Sequence, residues 1–180
     1  MKKFTQIIIC CLLLFCFCAC SAENTEPEDA TNSNTGSLKD FELLLHSDKS
    51  VYKTTDAIEI WAELVYTGEN NDITIWSGDP YISFSISDGE DVGIGSAHWL
   101  MMKETVLVRG VLYRSDYVKS SFWYEEMPNA DFWKEFMEQK ELFLPAGKYT
   151  ITAEGEFTLS NERGAEYSGP SCQIEIEVVE

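Results

Sequence analysis

The groups in this 180-residue chain that could do chemistry are few and scattered. His98, Met101 and Met102 bring one imidazole and two thioethers close together, a soft donor set that suits copper. Trp99 and Leu100 make the same segment apolar throughout, so it reads more simply as core or connector. Asp88-Gly89-Glu90-Asp91 and Glu69-Asn70-Asn71-Asp72 offer oxygens to calcium, without the spacing of a calcium loop. His46 and His98 are the only histidine bases, and no Gly-x-Ser-x-Gly elbow surrounds a serine. Cys172 alternates in step with Ile174 and Ile176, which predicts a buried, inert thiol. Carboxylate pairs carry no information in a chain this acidic. The expectation is a non-catalytic protein without a metal or cofactor. The best binding chemistry is aromatic: Trp123 and Tyr124 stand just before Glu125 and Glu126, and Trp133 and Phe136 follow nearby. As an exposed platform, these four rings would suit a sugar or a peptide.

Cys20 has a different kind of chemistry, set by what precedes it. Lys2 and Lys3 open the chain, an apolar run covers 7–17, and Phe17-Cys18-Ala19-Cys20 closes it. A basic start, a short apolar middle and small residues at the exit are the pattern of a secretory signal peptide. The run is too short for a membrane span and is soon followed by acidic residues. Its end resembles the lipobox of bacterial lipoproteins, in which a small residue precedes the cysteine that receives diacylglycerol. Cys16 and Cys18 follow phenylalanines, whereas Cys20 follows Ala19; Phe17 replaces the usual leucine. The resemblance implies cleavage after residue 19, a lipid on Cys20 and anchorage on the extracytoplasmic face of a membrane.

Without Lys2 and Lys3, 11 basic residues remain against 31 acidic ones, a net charge of −20. Such a surface repels nucleic acid and excludes it as a partner. Residues 20–37 hold no large apolar side chain and read as a disordered acidic tether, with a mean reach of ~20–25 Å. The rest of the chain, 38–180, is long enough for one domain with its own core.

That domain must position the rings, and its pattern is period two. Over 56–66, Ile58, Ile60, Ala62, Leu64 and Tyr66 share a face opposite Glu59 and Glu63. Over 149–159, Tyr149, Ile151, Ala153, Phe157 and Leu159 do the same, and Cys172, Ile174, Ile176 and Val178 follow. Shorter strands are expected at 41–46, 72–76, 81–87 and 105–113, with Ser77-Gly78-Asp79-Pro80 as one of the turns. About seven strands with such turns predict two packed antiparallel sheets. Residues 130–140 read as one short helix, capped by Asn129 or Asp131, within a longer 97–140 insertion. The plainer alternative to an aromatic platform is that this helix covers an open end of the sandwich.

Gly147-Lys148-Tyr149 looks like a tyrosine corner, and Trp76 falls where immunoglobulin-like folds keep a core tryptophan. Ser47-Asp48-Lys49-Ser50-Val51-Tyr52-Lys53, followed by 56–64, resembles the opening of Ig-like modules of bacterial surface proteins, with Thr54-Thr55 in place of the usual Pro-Gly. Macroglobulin-type and proteinase-inhibitor-type sandwiches are among them. The resemblance implies an all-β, immunoglobulin-like antiparallel sandwich, and no functional residue is carried over from it. The expected role is a lipid-anchored binding module for an unknown protein or glycan. The alternatives are a proteinase-inhibitor-like envelope protein and a glycan-capture accessory protein.

Overall fold

The computed structural model describes residues 31–90, 93–95, 99–120, 125–126, 129–162 and 164–180, with backbone only at 99–100. Its strands form two sheets. The first runs β1 (Asn32–Leu38), β2 (Phe41–Ser47), β4 (Ile60–Tyr66), β8 (Leu112–Asp116), antiparallel throughout. The second runs β3 (Val51–Lys53), β10 (Ser171–Val179), β9 (Gly147–Thr158), β5 (Asp72–Ser87). On the far side of β5, β6 (Gly93–Gly95) and β7 (Trp99–Val108) pair with different stretches of it. The short β3 lies parallel to the end of β10, and the other pairs in this sheet are antiparallel.

Alternation explains which faces meet. Leu43, Leu45, Ala62 and Leu64 from the first sheet and Ile75, Ile82, Ile86, Leu107, Ile151 and Phe157 from the second have no exposed surface. Between them lies one continuous core, the usual outcome when two half-apolar sheets bury their inner faces. Cys172 belongs to it, and burial pushes its thiol pKa up. Tyr149 also behaves as read: its hydroxyl donates to Pro145 O at 2.9 Å.

Several expectations are corrected. The tether does not extend to residue 37, because Asn32–Leu38 is a strand paired with β2 over its whole length. The 77–80 stretch is no turn; it lies inside a single strand, whose ladders shift register there on both sides. Pro80 has no N–H to give, so a bulge carries the strand past it. Trp76 points away from the core and is half-buried, while its neighbour Ile75 fills the inner position. The strand expected at 105–113 is the end of β7 and the start of β8, which belong to different sheets. At this corner Arg109 N donates to Asn71 O and Gly110 N to Tyr66 O, and Gly110 takes φ 74, a conformation open to glycine. Met101 and Met102 lie in β7 and are exposed rather than core. Leu159 falls past the end of β9 and is exposed.

A candidate cleft and a helical cap

The predicted aromatic residues divide into two groups. Trp123 and Tyr124, like Cys20 and His98, lie outside the described residues. Trp133 and Phe136 sit on α1 (Ala130–Glu138) and are buried, so they do not form an exposed platform. Trp133 meets the rings of Phe132 and Phe136 edge-on, at 5.1 and 5.7 Å between centroids. A helix this short has no stability of its own, so it must bury its apolar side against the domain. That is the plainer of the two readings.

The ends of α1 are held in unexpected ways. Asn129 occupies the N-cap position at φ 56 and makes no side-chain cap; Asp131 supplies negative charge in the first turn. No basic residue lies in the last turn. Lys119, from the chain before the helix, takes that role. Its ammonium donates to the carbonyls of Phe136, Gln139 and Glu141, and it lies 4.6 Å from the centre of the Phe136 ring. A cation on the orphan carbonyls satisfies them and opposes the helix dipole. Burial lowers the Lys119 pKa.

Beside this cap lies a cleft of about 400 Å³, walled by the start of β4, the end of β8 and the chain after α1. Its aromatic wall is Trp61, half-buried on the outer face of the first sheet. The His46 ring stacks on Trp61 at 5.1 Å and 14°, and the Arg114 guanidinium lies 4.7 Å from the ring centre. Arg114 pairs with Asp116 at 2.7 Å. His46 Nε2 stands 3.3 Å from Glu63 Oε2 without a hydrogen bond between them. Lys140 and Glu141 form the opposite rim. Tyr117 contributes to the floor, packs edge-on against Phe84 at 5.9 Å, and buries its hydroxyl without a partner among the described residues. Burial pushes its pKa up to about 12.

Chemically, the cleft offers an aromatic edge flanked by charges of both signs. Among the described residues no group of three or more His, Cys, Asp or Glu is placed to hold a metal. Sequence reasoning missed Trp61 because it ranked rings by clustering along the chain. The usable signal was parity: Trp61 and His46 alternate out of step with the apolar residues of their strands, which puts both on the outer face.

Comparison with known proteins adds little. No protein-family model and no curated protein matches the chain. Among solved structures, it is similar to a β-glucosidase from Erythrobacter marinus at 12% identity and a TM-score of 0.37. That match covers 84% of this chain and 16% of the glucosidase. A likeness at that level carries no argument about fold or chemistry. What the described residues show by themselves is a two-sheet, all-β domain capped by one helix.

Proposed function

We propose that the protein is an extracytoplasmic lipoprotein, anchored through Cys20, whose immunoglobulin-like sandwich serves as a non-catalytic interaction module. Strand order supports the Ig-like part. The neighbours β2-β4-β8 and β10-β9-β5 correspond to strands A-B-E and G-F-C of that fold, and β3 runs beside the last strand. Tyr149, at the start of the strand equivalent to F, bonds back to Pro145 as a tyrosine corner does. Two departures accompany these: Ile151 stands where antibody domains have the F-strand cysteine, and Trp76 faces outward.

The observation that carries the reading is the distance between Cys20 and the first strand. With β1 starting at Asn32, residues 21–31 are left as spacer, a mean reach of ~17–20 Å if coiled. Asn32 pairs with Ser47, which pairs with Ile60, close to the α1 cap through the Ile58 N to Leu142 O bond. An anchor at Cys20 would therefore approach the domain from the helix-capped end. On this reading the 67–71 segment and the Arg109–Gly110 corner, at the other end, face away from the membrane. The Trp61 cleft opens on the flank nearer the bilayer, where it can take a polar chain of a neighbouring envelope component.

Metabolic labelling with an alkyne fatty acid tests the anchor. The chain is expected to take the label and partition into detergent. Cys20→Ala should lose both properties. An unlabelled wild-type chain, or a Cys20→Ala chain that keeps the label, would refute the reading.

A further inference from the structure

β1 is held by main chain rather than by core. Its ladder to β2 runs without a break from Asn32↔Ser47 to Leu38↔Phe41, yet none of its side chains is buried. Its inward positions meet the edge of β10. Asn32 Nδ2 donates to Glu175 O at 2.8 Å and Asn34 Nδ2 to Gln173 O at 2.9 Å. At Gly36 a Cβ would lie 1.9 Å from Ser171 O, so only glycine fits there. β3 covers this edge of β10 only over 177–179. The strand thus sits in a slot between two sheet edges, one of β2 and one of β10. The slot selects an extended segment with amides at two inward positions and glycine at the third.

Two features make this segment easy to exchange. Lys39 and Asp40 are the whole turn between Leu38 and Phe41, and Lys39 is held at φ 50. A side chain at positive φ is strained, and opening the hairpin releases that strain. The strand Asn-Ser-Asn-Thr-Gly-Ser-Leu is also uncharged, so seating it against another copy of a chain of net charge −18 brings no further like charge into the slot. In an equivalent slot on another copy it would make the same bonds it makes now, which is why swapping is a low-cost route to a dimer.

We propose that β1 is an exchangeable strand and that the slot accepts β1 of a second copy, giving a strand-swapped dimer. This does not rest on the lipid at Cys20, and Cys20→Ala chains should behave alike. The test co-expresses two differently tagged copies of the full chain, captures one tag and measures the other. Co-capture that survives dilution is expected. Lys39→Gly should lower it roughly fivefold, equivalent to about 1 kcal/mol. Gly36→Val in both copies should abolish it, with tryptophan fluorescence reporting that the sandwich stays folded. Deleting Lys39 and Asp40 should raise it, since the shortened hinge cannot close within one copy. Absence of co-capture in both the wild type and the deletion overturns the proposal. Co-capture that persists in Gly36→Val also overturns it, because that contact would be an ordinary face or a shared detergent micelle.

Discussion

β1 and β2 are neighbours of equal length joined by an unbroken ladder, and they differ in almost everything else. β2 places Phe41, Leu43, Leu45 and Ser47 in the interior. β1 places Asn32, Asn34 and Gly36 against the carbonyls of β10. Both have strand hydrogen bonds, but only β2 also has burial. A ladder is enough to define a strand, whereas removal of apolar surface from water makes it permanent. Segments of the first kind open at low free-energy cost, and segments of the second kind open only with the whole domain.

The largest effect should come from the β2 side. Leu45→Ala, at a position with no exposure, is expected to cost about 3 kcal/mol, read as a shift of the urea midpoint. A loss no greater than that of a substitution in β1 would dissolve the contrast.

β3 sharpens the contrast from the other flank of the slot. It has only three residues, but Tyr52, only 1% exposed, holds it. The Tyr52 hydroxyl donates to Asp48 Oδ1 at 2.6 Å and accepts from Lys49 N at 2.9 Å. Burial, with Asp48 close by, raises its pKa well above that of an ordinary phenol. The folded state therefore keeps the proton to higher pH than the unfolded chain does. Below the unfolded value of about 10 this contribution is complete; as pH rises beyond it, the unfolded state ionises first and stability falls. Tyr81, Tyr117 and Tyr149 are shifted in the same direction and add to the loss. Urea midpoints should decline above about pH 10, and Tyr52→Phe should flatten that decline. An unchanged slope in Tyr52→Phe would place the alkaline sensitivity in the other three phenols.

The same comparison explains what could be read in the sequence. Where burial and ladder coincide, as at 41–46, at 60–66 within the expected 56–66 and in the last strand, parity of apolar residues identified the strand and its inner face. β1 has the same inward parity, but the inward residues are amides and a glycine, because they face main chain. Composition made that segment look like a tether. The 77–80 stretch failed for the opposite reason: turn-forming residues lie inside a strand whose two neighbours hold it through a bulge. In the aromatic region, amphipathicity revealed the α1 helix, but only packing decides that Trp133 and Phe136 face inward. Trp61 was hidden because its partners, His46 and Arg114, come from strands distant in the chain.

Within β1 the effects should be smaller. Asn34→Ala removes the bond to Gln173 O and the Asn34 Oδ1 acceptor that holds Thr35 N at 2.9 Å. Both are exposed, so the expected loss is about 1 kcal/mol or less. Hydrogen exchange is the sharper measurement: amides of β1 should exchange faster, while those that β2 shares with β4 stay protected. Equal acceleration on both sides would mean that β1 opens only with the domain.

The smallest change tests whether burial is what β1 lacks. Thr35 lies on the outer face, opposite half-buried Leu44. Thr35→Val keeps the β-branched shape and replaces a hydroxyl with a methyl facing that leucine. An apolar cross-strand pair of this kind is worth a few tenths of a kcal/mol. The variant should be slightly more stable, exchange its β1 amides more slowly and co-capture a second copy less efficiently. All three shifts share one cause, since any stabilisation of the closed hairpin opposes its opening. A variant that gains stability but leaves β1 exchange unchanged would separate the strand's mobility from its lack of apolar contact. The Lys39 turn would then be the sole source of that mobility.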